Sequence, residues 1–286
     1  MIAADKANAP EVPWDRTLNL YAYKDVEAPE NYATPEALEN YRSLLLGQIE
    51  PVAQLIGKQL SGGRQLKVLE LCSGSSRLLF SLHQKGLLEI GVGVEVSPSR
   101  HRFAEAWKSA RGTASVTNVL GSVESYELPD IDFDLIVIID SALSYLYPCD
   151  PGLPRAMLQR CRARLAPGGV VLFENEILDN EQIHALKRDG AIRFWTKGAE
   201  QDRFKYSLYE LEPVDWDNMV FRNSTCYIGR GAQPEARKQQ LEKYYRVEEL
   251  DALLAGCGFE GRHYSSFALD PLQPNSKSLV TLASLR

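Results

Sequence analysis

The sequence has few cysteines and histidines, and neither residue type is arranged for metal or disulfide chemistry. Its 286 residues include five cysteines and four histidines. No two cysteines have the two-residue spacing of a zinc or redox motif, and the histidines are scattered. An odd, unpaired set of cysteines argues against a disulfide framework. We therefore predict no metal site, reduced thiols and, because the first residues lack the pattern of a signal peptide, a cytoplasmic protein.

The sequence also lacks an excess of positive charge and any long apolar run. Lys and Arg total 32 against 38 Asp and Glu, which gives a net charge of −6. A protein that binds duplex nucleic acid usually has a basic surface, so nucleic acid is an unlikely partner. Apolar runs such as residues 135–139 are far shorter than the roughly 20 residues needed to cross a bilayer. The composition favours a small-molecule substrate and no membrane insertion, and it leaves the oligomeric state open.

The pattern along the chain indicates two parts. In residues 1–63 a polar, aromatic approach is followed by a helix, which starts at Thr34 with Pro35 in its first turn and stops at Gly62 and Gly63. In residues 64–286 short apolar strands alternate with helical segments, as in a parallel sheet covered on both faces. At about residues 190–230 the spacing of apolar residues changes to two, which predicts an inserted antiparallel β unit.

The segment with the most chemical information is residues 68–79, VLELCSGSSRLL. An apolar strand runs into a turn of small residues, and a helix follows at once. Small side chains let a large ligand approach the backbone, and the helix start supplies unpaired N–H donors. Glu95 ends the next predicted strand, where a carboxylate can accept both hydroxyl groups of a ribose.

These features resemble the class I, Rossmann-like S-adenosylmethionine-dependent methyltransferases. Further segments match the family's order: FDLIVIIDSALSYL at 133–146, ARLAPGGVVLFE at 163–174 and EKYYRVEELDALLAGCGFEG at 242–261. The resemblance implies a seven-stranded sheet, mostly parallel with an antiparallel last strand, an N-terminal helical lid and S-adenosylmethionine as the cofactor. It implies the following cofactor-binding residues: Tyr21, Tyr23, Glu70, Ser73, Gly74, Ser75, Arg77, Glu95, Val96, Ser122, Val123, Asp140 and Ser141.

The sequence departs from the family at two places. The family's loop has three glycines, and here Cys72, Gly74 and Ser76 occupy those positions. The family usually places an acidic residue after the third strand to bind adenine, and Ser122 with the Val123 backbone is the alignment we prefer there. A nicotinamide-binding Rossmann fold is the competing interpretation, but its G-x-G-x-x-G pattern is absent from this loop.

The acceptor side offers weaker signals. Asp140, Tyr145, Glu174 and His184 follow predicted strands, at the sheet edge where α/β proteins place their sites, and are our candidate catalytic residues. The alternatives are core packing for Tyr145 and a solvated helix position for His184. For Glu70 and Glu95 the alternative is an ordinary surface carboxylate at a strand end. The aromatic stretch at 194–227 is either the apolar face of the inserted sheet or, with Arg193, Arg203, Arg222 and Asn223, a grip for a substrate carboxylate.

Three functions follow, in order of preference. The first is methyl transfer to a small metabolite by in-line displacement at the sulfonium. The second is cyclisation or cleavage of the cofactor with release of methylthioadenosine, for which the altered glycine loop is the motivation. The third is a non-catalytic regulatory protein that binds S-adenosylmethionine, because fold alone does not determine function.

Overall fold

A computed structural model describes residues 27, 34–124, 126, 129–198, 204–229 and 234–286. The helices are α1 Pro35–Leu55, α2 Arg77–Gln84, α3 Pro98–Arg111, α4 Ala142–Cys149, α5 Leu153–Arg162, α6 Asn180–Asp189 and α7 Val247–Gly256, and a π-helical turn, Ile56–Leu60, extends α1. The strands are β1 Leu66–Leu71, β2 Leu88–Glu95, β3 Val116–Leu120, β4 Phe133–Ile138, β5 Leu165–Glu176, β6 Ile192–Lys197, β7 Phe204–Asp215, β8 Val220–Gly229, β9 Pro234–Lys243, β10 Phe259–Tyr264 and β11 Ser278–Leu285.

The main sheet has seven strands in the order β10-β11-β5-β4-β1-β2-β3. Strand β11 runs antiparallel to both of its neighbours, β10 and β5, and the remaining pairs are parallel. This is the Rossmann-like, mostly parallel sheet with an antiparallel last strand that the sequence predicts. The chain order reverses at β1, so the crevice at the carboxyl ends of β1 and β4 is the expected ligand site.

Local signals in the sequence set the starts of two helices. The Thr34 hydroxyl accepts the Ala37 N–H (3.1 Å), and the Ser97 hydroxyl accepts the Arg100 N–H (3.4 Å). In both helices proline stands in the first turn, where its missing N–H costs nothing. The predicted start of α1 is therefore confirmed, and α3 begins with the same type of cap.

Two apolar clusters cover the two faces of the sheet. One face carries α1, α2 and α3, where Phe80, Phe103 and Trp107 are fully buried. The other face carries α4, α5 and α7, which contribute residues such as Leu143, Leu158 and Leu254. Helix α1 contributes Ile49 and Ala53 to the first cluster, so it is part of the packed body.

The inserted unit is a four-stranded antiparallel sheet, β6-β7-β8-β9. Its antiparallel character is confirmed, but the fourth strand, PEARKQQLEK, was not predicted because it is polar and has no β-branched residue. It forms because β8 pairs with it along its length. A small core of its own lies under this sheet and consists of Leu186, Leu211, Met219, Phe221 and Tyr244.

The polar residues of the aromatic stretch are used within the sheet. Arg193 pairs with Glu210 (2.5 Å) and Arg222 with Glu212 (3.6 Å), while Asn223 donates to Glu242 (3.0 Å). Arg203 lies outside the described residues. The interpretation as a sheet face therefore accounts for these side chains, and Phe194 and Trp195 remain more than half exposed on it.

No helix within the described ranges is long and apolar enough to cross a membrane.

Candidate functional site

A cavity of about 300 Å³ lies at the carboxyl ends of β1, β2, β3 and β4. Eleven of the sequence-predicted site residues line it. They are Glu70, Ser73, Gly74, Ser75, Arg77, Glu95, Val96, Ser122, Val123, Asp140 and Tyr145.

The loop between β1 and α2 has a left-handed backbone, which favours glycine, at three positions, and only one of these residues is a glycine. Cys72, Gly74 and Ser76 have φ values of 57°, 56° and 56°, all in the left-handed region. Side chains other than glycine, asparagine and aspartate rarely adopt this conformation, at a cost of order 1–3 kcal/mol each. The three positions aligned with the family's glycines therefore all have a backbone that favours glycine, although two of them carry side chains.

Strand β2 makes room for those side chains. A Cβ atom on Gly93 would lie 2.7 Å from the Ser76 hydroxyl oxygen and 2.8 Å from that of Ser73. The Ser76 hydroxyl is held in this position by a 2.7 Å hydrogen bond to the Asn118 side chain. The loop serines therefore require a glycine at position 93 in the adjacent strand.

Glu95 anchors the same loop. It is buried, and its two carboxylate oxygens accept the Gly74 N–H and the Ser97 N–H, each at 2.7 Å. A carboxylate has about four acceptor sites, so these bonds leave capacity for hydroxyl groups in the cavity. The end of β2, the glycine of the loop and the start of α3 are thereby joined at one side chain.

Glu70 and Ser75 present buried polar atoms without a partner among the described residues. Glu70 is only 2% exposed, and its Oε2 accepts no hydrogen bond there; the same holds for the Ser75 hydroxyl. Burial raises the pKa of Glu70 to about 8, with Arg77 acting in the opposite direction. A buried carboxyl with an unused oxygen is suited to a ligand that brings its own donor or positive charge.

Arg77 and Asp140 close the cavity between β1 and β4. Their side chains form an ion pair at 2.5 Å, and Arg77 also donates to Gln48 (2.9 Å). Asp140 and Ser141 both have φ of 56°, which turns the chain sharply from β4 into α4. The ion pair holds the Arg77 guanidinium near Glu70.

Ser122 and Val123, which the sequence predicts to contact adenine, follow β3. The Ser122 hydroxyl accepts the Glu124 N–H (3.2 Å), and the Val123 carbonyl accepts a hydrogen bond from Arg160 (2.8 Å). Both residues line the cavity, but these groups are occupied by local bonds that shape the turn.

The part of the cavity around Tyr145 is formed by α4 of the main body and β9 of the inserted sheet. Gln240 of β9 donates to the Tyr145 hydroxyl of α4 (2.9 Å) and also to Glu242. Glu242 accepts a further bond from Tyr244 (3.0 Å). Burial, together with the negative charges of Glu242 and Glu176, raises the pKa of Tyr145 well above its ordinary value. Tyr145 is therefore a neutral phenol at physiological pH.

Three predicted site residues are not among those lining the cavity. Ser141 joins two strands instead: its N–H donates to the Glu174 carbonyl (3.2 Å) and its hydroxyl accepts the Glu176 N–H (2.8 Å). Glu174 lies behind this turn, and burial followed by the charge of Asp140 raises its pKa. His184 is exposed on α6, because the capping box at Asp179 starts a helix that leads it away from the cavity. Tyr21 and Tyr23 lie outside the described residues.

Three charged or amide side chains that line the cavity were missed from the sequence. Arg100 stands in the first turn of α3, directly after β2, so its place in the fold was a usable signal. Glu27 lies in the N-terminal segment and pairs with Arg100 at 3.5 Å. Gln240 had no local signal, because its strand was not predicted.

Comparisons with known proteins give a family match and many matches of fold. Residues 68–169 match the family model described as a methyltransferase domain. A sequence comparison with curated proteins gives no match. Among solved structures, an S-adenosylmethionine-dependent methyltransferase from Clostridium acetobutylicum aligns with a TM-score of 0.68 at 15% identity, over 86% of this chain and 96% of that chain.

Two further structures come from Streptomyces and Micromonospora. The CcbJ methyltransferase from Streptomyces caelestis aligns with a TM-score of 0.66 at 18% identity, over 82% of this chain and 88% of that chain. CalS10 from Micromonospora echinaspora, described as an amino pentose methyltransferase bound to S-adenosylmethionine, has a TM-score of 0.61 at 17% identity, over 86% of this chain and 95% of that chain. At these identities the neighbours establish the fold.

Proposed function

We propose that this chain, in which residues 68–169 match a methyltransferase domain, is an S-adenosylmethionine-dependent enzyme that methylates a small-molecule acceptor. The carrying observation is the cavity itself, which has the buried carboxylates Glu95 and Glu70 at one end and Tyr145 at the other. The bound cofactor would supply the electrophilic methyl group, and the protein would supply alignment.

The residues of the cofactor end fit such a group. Glu95 would accept the ribose hydroxyls, since it sits at the end of β2 with acceptor capacity remaining. The unpartnered Glu70 Oε2 and Ser75 hydroxyl would receive the ammonium and carboxylate of the methionine part, respectively. Ser73, Gly74 and Arg77 would pack along the same part, and Val96, Ser122 and Val123 would enclose the adenine. Ser141 would support this end indirectly, through the turn after β4.

A small acceptor fits the size and charge of the site. The cofactor and the acceptor would share one cavity of about 300 Å³, which leaves room for a small acceptor only. The chain carries a net charge of −6, which disfavours a nucleic acid. CalS10, a structural neighbour, is described as acting on an amino pentose. Asp140 and Tyr145 are the candidate catalytic residues that line the cavity, with Glu174 behind them, whereas the exposed His184 is not carried forward.

The N-terminal segment is proposed to cover the cofactor. Glu27 supports this, because it lines the cavity and its carboxylate would lie 3.7 Å from a Cβ on Gly74. Removing residues 1–33 should weaken S-adenosylmethionine binding about tenfold while α1 keeps the body folded. Equal affinities of the truncated and full chains in calorimetry would exclude a lid.

Product analysis separates methyl transfer from the alternatives. Incubation with S-adenosylmethionine and a panel of small acceptors should release S-adenosylhomocysteine. Methylthioadenosine would indicate cyclisation or cleavage instead, and tight binding without turnover would indicate a regulatory protein. The altered glycine loop, whose backbone is left-handed at all three positions, is the motivation for the cleavage alternative.

A further inference from the structure

The neighbours of Gln240 fix the orientation of its side-chain amide and leave the amide oxygen without a hydrogen-bond donor among the described residues. Its nitrogen faces the Tyr145 hydroxyl (2.9 Å) and the Glu242 carboxylate. Because a carboxylate only accepts hydrogen bonds, the atom facing it must be the amide nitrogen. The carbonyl oxygen, Oε1, then has no donor among the described residues, although Gln240 is only 5% exposed and lines the cavity. A buried acceptor in this position calls for an N–H or O–H group from a ligand.

The charges around this end are negative. Glu242 and Glu176 both act electrostatically on the Tyr145 hydroxyl, and Glu242 also accepts the Gln240 amide N–H. The cations of the cavity lining are engaged elsewhere: Arg77 pairs with Asp140 and Arg100 with Glu27.

Lys243, three positions after Gln240, is held on the other side of β9. Its ammonium donates to the Asn218 carbonyl (2.6 Å) and to Glu249 (3.3 Å), and it lies 4.6 Å from the ring centre of Tyr147. Its charge is therefore committed to those groups. The potential at the acceptor end favours a group that carries or gains positive charge.

We infer that the acceptor is an amine whose N–H donates to Gln240 Oε1, beside Tyr145 and within the field of Glu242 and Glu176. This assignment rests on the proposed function, since it concerns the acceptor end of the same cavity. It also makes Gln240, on the strand that the sequence did not predict, the residue that selects the acceptor.

The reaction is consistent with these charges. The lone pair of a neutral amine would form the N–C bond while the C–S bond breaks. The electron pair of the C–S bond would stay on sulfur, which becomes the thioether of S-adenosylhomocysteine. The positive charge moves from sulfur to nitrogen, and the resulting ammonium releases a proton to water. Nearby carboxylates stabilise the charge that develops on nitrogen. A hydroxyl or carboxyl acceptor would instead need an oxyanion in this negative field.

The test is a comparison of matched acceptors on the full chain saturated with S-adenosylhomocysteine. Benzylamine, cyclohexylamine and glucosamine are paired with benzyl alcohol, cyclohexanol and glucose, and binding is measured by calorimetry at pH 8. At least one amine should bind tenfold or more tightly than its alcohol. Gln240→Leu should reduce that preference about tenfold, whereas Gln239→Leu, on the opposite, exposed face of β9, should keep it.

Each outcome bears on a separate claim. Failure to bind S-adenosylhomocysteine would overturn the proposed function. Normal binding of S-adenosylhomocysteine with alcohols bound as well as amines, or with no amine bound, would overturn only the amine assignment. A Gln240→Leu variant with the wild-type preference would remove Gln240 from it. If that variant fails to fold by thermal denaturation, Tyr145→Phe replaces it and should reduce amine affinity while leaving S-adenosylhomocysteine affinity within twofold.

Discussion

The two ends of the cavity are built in different ways. The end that we assign to the cofactor is centred on β1, the following loop and β2, where Glu70 and Glu95 lie 25 positions apart in the chain. The end that we assign to the acceptor joins Tyr145 to Gln240, which are 95 positions apart. A short contiguous segment can therefore specify the first end, whereas the second requires the insert sheet to pack against α4.

The two ends also differ in how their polar groups are satisfied. Glu95 has both oxygens bonded to backbone N–H groups, which fixes the loop before any ligand arrives. At the acceptor end a side-chain network surrounds Gln240 and leaves its carbonyl oxygen unused. The first end is preorganised by hydrogen bonds to the backbone, and the second depends on contacts between side chains.

The largest effect is expected from Glu95→Ala. It removes the acceptor of two loop N–H groups and of the proposed ribose hydroxyls, so the affinity for S-adenosylhomocysteine should fall about 100-fold, or ~3 kcal/mol. Calorimetry measures this directly. Glu89→Ala on the same strand is the control, because Glu89 is half exposed. If Glu95→Ala binds as tightly as Glu89→Ala, the cofactor end is placed wrongly.

A second prediction tests the compensation between loop and strand. Gly93→Ala should destabilise the protein by about 1–3 kcal/mol, because its Cβ meets the hydroxyls of Ser73 and Ser76. Adding Ser76→Gly should recover part of this loss, since glycine accepts the left-handed backbone and removes one clash. Urea unfolding gives both values. Gly47→Ala, with no atom near its Cβ, is the control and should not destabilise. An unchanged Gly93→Ala would contradict the compensation.

The pH dependence at Glu70 should be smaller and of defined sign. The folded protein holds the Glu70 proton up to about pH 8, whereas the unfolded chain releases it near 4.5. Between these values the unfolded state binds fewer protons, so the Glu70 contribution to stability falls as pH rises. Glu70→Gln cannot ionise, so its free energy of unfolding relative to wild type should increase from pH 5 to pH 8. A constant difference across this range would mean that Glu70 ionises normally.

The smallest effect is expected from His184→Ala. The imidazole is exposed on α6, outside the residues that line the cavity, so turnover and cofactor affinity should stay within twofold of wild type. Steady-state assays at several pH values check this. A loss of tenfold or more would bring His184 back as a base and change our description of the acceptor end.

Much of the cofactor end was predictable, because its signals are local. The apolar strand, the small-residue turn and the carboxylate at the end of β2 lie within residues 68–95, and the structure brings Glu70, Gly74 and Glu95 together. The acceptor end was predicted less well. Tyr145 lines the cavity as expected, but Gln240 lies on a polar strand with no sequence pattern of its own, and His184 was misplaced because the start of α6 was not recognised.

The sequence by itself determined the alternation of strands and helices, the starts of α1 and α3 and the carboxylates of the cofactor end, since hydrophobic spacing and capping act over a few residues. Only the tertiary structure decided three other features. It formed β9 by pairing it with β8, it placed Gly93 opposite the loop serines, and it turned Gln240 toward Tyr145. Each of these depends on contacts between segments distant in the chain, where the neighbouring strand supplies the hydrogen bonds or the space that local sequence does not encode.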